Sequence, residues 1–125
     1  MLRLNYDELD NEEWREYYLW QGQPFTGIAY ELHPNGQVWS EVEMMEGMEN
    51  GIVRQWYASG KQRLDGYGKQ VERYSWSKEW FENGVLKRVS ISEWNVQIKE
   101  KIWDEQGQLI SDYERPRDDK LITNP

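Results

Sequence analysis

The chain has 125 residues, which is enough for one compact domain and too few for two independent ones. Hydrophobic residues make up 38% of it and charged residues 30%, so no run approaches the ~20 apolar residues of a membrane-spanning helix, and we expect no membrane insertion. Zero cysteines exclude disulfides, thiolate metal sites and cysteine nucleophiles, and a single histidine excludes any site that needs two imidazoles. The first residues show no secretory signal, so the expected location is the cytoplasm.

Aromatic residues dominate the apolar part of the chain, with eight Trp, eight Tyr and two Phe, or 14% of all residues. Such rings fit the half-buried surface of a pleated sheet better than a helix, where they lose side-chain freedom against the preceding turn. A net charge of −8 would suit a disordered chain, but disordered chains are poor in aromatic residues. The composition therefore predicts an all-β protein whose core is built from aromatic rings.

The N-terminal residues 1–16 are strongly acidic and predict a loop that leads into the first strand. A short helix within 7–18 is the alternative, because the acidic stretch has capping residues at its start. The first predicted strand is Tyr17–Trp20, and the first predicted turn is Gln21–Pro24.

A glycine then recurs at steps of 24, 24 and 23 residues, each time after a short polar element such as Pro34-Asn35. Because glycine reaches positive φ without steric cost and Asn tolerates the left-handed region, each of these positions predicts a tight turn. A large residue precedes each glycine by four positions, and a strand-like segment follows it. The recurring glycines are Gly36, Gly60, Gly84 and Gly107, and the large residues are Leu32, Trp56, Trp80 and Trp103. The period predicts about four β-hairpins that stack as one antiparallel sheet.

Strand alternation predicts which side chains share a face. It sets Ile52, Arg54 and Trp56 on one face, so Trp56 is expected to meet Trp80 across the sheet, and Trp56, Trp80 and Trp103 are expected to fill that face. The last unit is one residue short, which predicts a bulge or a truncated strand near Asn95.

The domain organisation follows from where the periodicity stops. The repeats occupy about residues 17–114, and together with the lead-in they predict a single domain over residues 1–115. Residues 116–125 are polar and begin at Pro116, which is typical of a flexible tail.

Four in-register stretches of this repeat resemble a known family. They are Phe25-Thr26-Gly27-Ile28-Ala29-Tyr30-Glu31, Pro34-Asn35-Gly36-Gln37-Val38, Trp80-Phe81-Glu82-Asn83-Gly84-Val85-Leu86-Lys87 and Trp103-Asp104-Glu105-Gln106-Gly107-Gln108-Leu109. The chain resembles the MORN-repeat variant of YwqK-type antitoxin proteins. The resemblance implies an elongated antiparallel meander of hairpins, usually non-catalytic, with members assigned as antitoxins. Ser75 and Ile98 depart from it, because they replace the family's first glycine in the last two units.

Charge is distributed unevenly along the chain. Residues 1–49 contain 11 acids and 2 bases, residues 50–103 contain 6 acids and 10 bases, and residues 104–125 contain 6 acids and 3 bases. In a linear meander these segments lie apart in space. One interpretation is that the acidic end captures a basic partner, such as a cationic toxin, because complementary fields raise association rates. The simpler interpretation is a set of solvated faces that keep the protein soluble.

No residue pattern indicates catalysis or a cofactor. General acid–base catalysis needs two carboxylates across a cleft, and the candidates for it all lie on predicted strands, where alternation places many acids in solvent. They are Glu31, Glu41, Glu43, Glu79 and Glu93. His33 lies in a predicted turn without a nucleophile motif, and the glycine-rich spots lack the further residues of a phosphate-binding loop. We expect a protein that is not an enzyme and that binds no metal and no cofactor.

A partner-binding surface is predicted from rings that one sheet cannot bury on both faces. Trp39, Tyr57, Tyr67 and Phe81 are expected on the face opposite Trp56, where exposed rings mark interfaces. With the acids Glu41 and Glu43 they form the predicted partner-binding set, although the termini, the curvature of the sheet or a second copy would also cover them.

Three non-catalytic functions remain open at this point. The first is a protein-binding module, antitoxin-like or immunity-like, with a basic partner. The second is a homo-oligomer assembled through sheet edges or aromatic faces. The third is single-stranded nucleic-acid binding, suggested by basic residues between aromatic ones in the middle third; it is not expected, because a pI of 4.7 implies repulsion from phosphate.

Overall fold

The computed structural model describes residues 1–11, 17–70 and 73–116, and nearly all of its regular structure is β. The all-β prediction is confirmed. The strands are β1 (Arg3–Asn5), β2 (Leu19–Trp20), β3 (Gln23–Pro24), β4 (Gly27–Leu32), β5 (Val38–Met45), β6 (Met48–Trp56), β7 (Gln62–Lys69), β8 (Tyr74–Trp80), β9 (Leu86–Glu93), β10 (Val96–Trp103) and β11 (Leu109–Glu114). The predicted tail, apart from Pro116, lies outside the described residues.

Within the described residues, nine strands form one open sheet in the order β1-β4-β5-β6-β7-β8-β9-β10-β11. From β4 to β11 each strand is antiparallel to the next, so the predicted meander is confirmed and position along the chain maps onto position across the sheet. Strand β1 is parallel to β4 and forms one edge, while β2 and β3 form a separate two-stranded ribbon.

The N-terminal lead-in is more ordered than the acidic loop that the sequence predicted. Residues 3–5 pair with β4, and residues 6–8 form a 3-10 turn that is capped by the Asn5 side chain, which accepts from the amide of Asp7 at 2.9 Å. The observed cap, Asn5, precedes the stretch 7–18 in which the sequence suggested a helix, and it serves a single short turn. Residues 12–16 lie outside the described part.

The four recurring glycines occupy equivalent turns, as the period predicted. Each glycine amide donates to the carbonyl three residues earlier, at 2.9 to 3.0 Å, and each φ lies between 86° and 91°. The register then shifts by one residue in every unit, so that one residue after each turn is extra. These bulge residues are Trp39, Arg63, Lys87 and Ile110.

Consecutive units are joined by hydrogen bonds from one turn to the next. His33 Nε2 lies 2.7 Å from the carbonyl oxygen of Trp56, and the Tyr57 hydroxyl donates to the carbonyl of Trp80 at 2.6 Å. One layer further out, Asn35 donates to Ala58 and Asn83 donates to Glu105, at 2.9 and 3.1 Å. Because every such bond spans 22 or 23 residues, the same turn position links each unit to its successor.

The opposite end of the sheet carries turns that differ from unit to unit. Strands β5 and β6 are joined by two residues, Glu46 and Gly47, and strands β9 and β10 are joined by Trp94 and Asn95. Between β7 and β8 the connection covers residues 70–73. The predicted bulge is present in β10, where the register shifts by one residue between Gln97 and Lys99. The corresponding shift in β6, between Glu49 and Val53, amounts to two residues, and this difference accounts for the residue missing from the last unit.

The hydrophobic core lies at the N-terminal end of the sheet. Phe25 is 2% exposed and packs with Ala29, Val42 and Met44. Partly buried apolar residues from the N-terminal segment and β6 surround this cluster, namely Leu4, Tyr6, Leu9, Tyr18, Trp20 and Val53. The N-terminal segment thus forms a second layer over β4, β5 and β6.

The predicted tryptophan core is wrong. Trp56, Trp80 and Trp103 are only half-buried and do not belong to the core cluster. Trp56 and Trp80 lie on β6 and β8 with β7 between them, so they are about 10 Å apart in the sheet direction and are not cross-strand neighbours. One repeat unit is a hairpin of two strands, so equivalent residues of successive units lie on every second strand. A ring is fully buried only where a second layer packs on the sheet.

Candidate functional site

The pairing register assigns each strand residue to one of two faces, because residues directly opposite each other share a face. We call the face that contributes to the core the core face and the other one the outer face. A row on the core face runs through Ala29, Val42, Val53, Gly66, Ser77 and Ser90. The corresponding row on the outer face runs through Tyr30, Glu41, Arg54, Asp65, Lys78 and Val89.

The outer face carries charges of alternating sign. Arg3 contacts Glu41 at 3.0 Å, and Arg54 contacts Asp65 at 3.4 Å. Lys78 is paired directly with Asp65 in the register. Exposed pairs of this kind contribute at most about 1 kcal/mol each, but together they leave this row hydrated and nearly neutral. The outer face is therefore a poor candidate for an apolar docking surface.

The core face is covered only in part. The N-terminal layer packs on β4, β5 and β6, whereas the core-face residues of β7, β8 and β9 are glycine and serine over most of their length. They are Gly66, Gly68, Ser75, Ser77, Ser90 and Ser92. In the part of the chain that the structure describes, no strand layer packs on this stretch, which we call the open face, although Gly66, Gly68 and Ser90 are themselves buried.

A cavity of about 540 Å³ lies where the open face meets the irregular turns. Glu49, Gly68, Ser75 and Ser92 line it together with residues of the turns on either side. Burial raises the pKa of the Glu49 carboxyl above its ordinary value. The Glu49 amide donates to the Gln70 side-chain oxygen at 3.3 Å, and the Gln70 amide donates to the Glu49 carbonyl at 2.9 Å, so these two bonds hold this wall in place.

Tyr6 of the N-terminal layer interacts electrostatically with Glu49, which lines the cavity. Burial, Tyr18 and the carboxylates of Glu49 and Glu31, in that order, raise the pKa of the Tyr6 hydroxyl, so this group stays neutral and available as a donor. The rings of Tyr6 and Tyr18 meet edge to face, with centroids 5.5 Å apart. The cavity thus has a fixed wall on one side and is open on the other.

Trp94 and Asn95 form the turn beside the cavity in an uncommon conformation. Both have positive φ, 52° and 63°, and Asn95 lines the cavity. The left-handed region costs a residue with a Cβ about 1–2 kcal/mol, and the Trp94 side chain is nevertheless 68% exposed. An exposed tryptophan on a strained turn at a cavity is the arrangement expected of a partner contact.

The six predicted partner-binding residues do not come together. Trp39, Tyr57 and Phe81 lie at the end of the sheet that carries the recurring turns. Trp39 donates to Glu31 at 3.1 Å, and Lys87 lies 5.4 Å from the centre of the Phe81 ring. These contacts fix two of the three rings against their own units.

The other three predicted residues lie on the outer face. Glu41 is engaged by Arg3, and Glu43 lies beside it, two residues along β5. The expectation that Tyr67 lies opposite Trp56 is wrong, because Tyr67 pairs with Ile52 and therefore shares the face of Ile52 and Trp56. Partner binding by these six residues remains a prediction.

The sequence did not single out Glu49 or Trp94. Nothing local marks Glu49, because the cavity that it lines is completed by residues of other hairpins, such as Gln70 and Asn95. Trp94-Asn95 is a two-residue connection between strands, which is a hairpin signal, but tryptophan is so unusual at positive φ that the signal is weak. In the described residues no cluster of three or more potential metal ligands occurs, and no helix there is long and apolar enough to span a membrane.

The fold and the open face define the class of this protein, which is an open antiparallel array of hairpins. The N-terminal segment covers the core face at one end of the sheet, and no layer covers the same face at the other end. Comparison with known proteins then gives the family. The chain is 38% identical over 93 residues to the Immunity protein YwqK of Bacillus subtilis (strain 168), and this match covers 74% of the chain and 60% of the relative. The chain belongs to the YwqK-type family, as its repeats predicted.

The chain spans 60% of the length of this relative, so what the whole relative does is not transferred directly. No family model matches the chain, and the assignment of its units as MORN repeats remains a prediction. No solved structure matches it either.

Proposed function

We propose that this protein is an immunity protein that neutralises a toxin by binding it stoichiometrically, without catalysis. Similarity to a protein named as an immunity protein supports an antitoxin-like or immunity-like role. The structural observation that carries the proposal is the open face, with its cavity of about 540 Å³ and the exposed Trp94 beside it. A surface of this kind fits a protein partner better than a small polar substrate, because it is shallow at one end and has an anchor ring at its edge.

The charge distribution supports a basic partner. Residues 1–49, which hold 11 acids and 2 bases, build the sheet from β1 to β5 and the start of β6. The acidic end and the open face are thus neighbours in one sheet. A cationic toxin that approaches the acidic end is oriented toward the open face, and its association rate falls as salt is added.

The absence of catalysis is part of the proposal and rests on chemistry in the cavity. Among the described residues that line the cavity, Glu49 is the carboxylate, and the one histidine of the chain, His33, is engaged at the other end of the sheet. Such a lining suits hydrogen bonding and shape recognition more than proton transfer, which needs a second group at hydrogen-bond distance.

The test is co-expression of this chain with the polypeptide toxin encoded beside it in its genome of origin. We expect growth to be restored, a complex of the two purified proteins, and toxin activity that falls linearly to zero at equimolar ratio. Trp94→Ala is expected to weaken the complex at least tenfold, whereas Leu32→Ala, which removes an exposed apolar side chain at the other end of the sheet, is expected to leave it unchanged. Neutralisation at a small fraction of the toxin concentration, or no complex at low salt, would contradict the proposal.

A further inference from the structure

We propose that the outer edge of β11 accepts an extended, basic segment of the partner protein as an added strand. This inference rests on the proposed function, because the partner is the toxin that the open face would bind. It names a second contact: the main chain of the last strand, which continues the sheet that carries the open face.

Strand β11 ends the sheet and is exposed along its whole length. Among residues 1–11, 17–70 and 73–116, no strand pairs with its outer side. Three of its apolar side chains are exposed, Leu109 by 49%, Ile110 by 63% and Tyr113 by 43%. An exposed edge of this kind presents main-chain donors and acceptors to any extended chain.

The pairing with β10 shows which main-chain groups are available. The Arg115 amide donates to the Ile98 carbonyl at 2.8 Å, and the register pairs Tyr113 with Glu100. In an antiparallel ladder alternate residues bond to the same neighbour, so residues 111, 113 and 115 face β10. The N–H and C=O groups of Asp112 and Glu114 therefore point away from the sheet.

Charge selects the occupant of this edge, because charge signs alternate from strand to strand on the outer face. Lys101 of β10 contacts Asp112 at 3.8 Å, and Lys99 is paired with Glu114, so a basic strand continues the alternation. A second copy that pairs antiparallel through the outward groups of Asp112 and Glu114 places acidic residues opposite each other, which destabilises a sheet. A partner strand with a basic residue at every second position instead sets its positive charges beside Asp112 and Glu114. Its intervening residues lie on the same face as Tyr113, where apolar side chains can cover the exposed ring.

The opposite edge of the sheet is less suited to this role. Strand β1 has only three residues, and its Arg3 is held between the Glu41 carboxylate at 3.0 Å and the Tyr30 ring at 4.0 Å. A short edge strand that carries a fixed cation is a common protection against pairing, and it repels a basic segment. The two edge strands thus differ both in length and in the sign of the charged side chains that they carry.

The experiment titrates the ¹⁵N-labelled full chain with the peptide acetyl-KVKVKVK-amide, to about 2 mM peptide at low salt. The expected result is that the largest amide shifts, together with slowed hydrogen exchange, occur at Asp112 and Glu114. The peptide acetyl-EVEVEVE-amide is expected to bind at least tenfold more weakly. Absence of shifts at β11, equal binding of both peptides, or shifts centred on β1 would overturn the inference.

A charge-reversed variant sharpens the test. Asp112→Lys with Glu114→Lys is expected to prefer the acidic peptide, while Glu46→Lys with Glu82→Lys changes the net charge equally at exposed turns and is expected to keep the original preference. If the reversed variant fails to fold, Asp112→Asn with Glu114→Gln removes both charges more gently and is expected to abolish the preference. The peptides replace the toxin in this experiment, so the two proposals fail separately. Peptide binding at β11 without neutralisation of the toxin refutes only the proposed function, and neutralisation without peptide binding at β11 refutes only this inference.

Discussion

The hydrogen bonds between successive turns yield a prediction from a natural difference between two units. The Tyr57 hydroxyl donates to the Trp80 carbonyl at 2.6 Å, whereas the equivalent residue one unit later is Phe81, which has no hydroxyl to offer the Trp103 carbonyl. Tyr57→Phe removes one bond at a partly buried carbonyl and should cost about 1–2 kcal/mol of unfolding free energy. Phe81→Tyr should add the missing bond and stabilise by about 0.5–1.5 kcal/mol.

Urea unfolding followed by tryptophan fluorescence measures both changes. For a chain of this size the slope is about 1–3 kcal/mol per molar urea, so the two midpoints should move in opposite directions by roughly 0.5–1 M. The double variant should unfold near the wild-type midpoint, because the two bonds lie in different units and share no partner. An unchanged midpoint for Tyr57→Phe together with a destabilised Phe81→Tyr would refute the idea that the turn positions are equivalent.

Three further predictions concern packing and pH. A Cβ on Gly66 would lie 2.8 Å from the Trp76 carbonyl oxygen, whereas a Cβ on Gly68 would meet only the movable Glu49 carboxylate. In the same urea assay Gly66→Ala should therefore cost about 1–3 kcal/mol of unfolding free energy, and Gly68→Ala distinctly less. Phe25→Ala should cost about 3–5 kcal/mol, because Phe25 fills the core, and a loss below 1 kcal/mol would show that the core lies elsewhere. Burial raises the folded-state pKa of Glu49, so its contribution favours folding at low pH and is lost as pH rises through that raised pKa; Glu49→Gln should remove this decline, and urea midpoints of both proteins between pH 4 and 7 test the sign.

The repeating turns could be predicted from sequence because their cause is local. Glycine at Gly36, Gly60, Gly84 and Gly107 relieves the strain of a positive φ that other residues reach at a cost, so the residue type itself marks the turn. The bulge that follows each turn repeats with the same period, but the sequence varies there from Trp39 to Ile110, so no residue type identifies it. The period therefore predicts the hairpins but not the register in which their strands pair.

The core and the open face could not be predicted because they depend on a second layer. The strongest aromatic column, Trp56, Trp80 and Trp103, suggested where the core lies, but burial is set by the N-terminal segment that packs on β4, β5 and β6. Phe25, which is 2% exposed, precedes the repeat glycines and belongs to no column. Likewise Glu49 becomes part of a cavity only because residues of two turns from later hairpins, among them Gln70 and Asn95, line the same space.

Amide hydrogen exchange of the full chain tests whether the sheet is covered by its N-terminal layer at one end and open at the other. We expect the slowest exchange in β4, β5 and β6, around Ala29, Val42 and Val53, and exchange close to that of an unprotected amide at Asp112 and Glu114. The slowest amides in β8 and β9, or strong protection at Asp112 and Glu114 in the isolated protein, would contradict it.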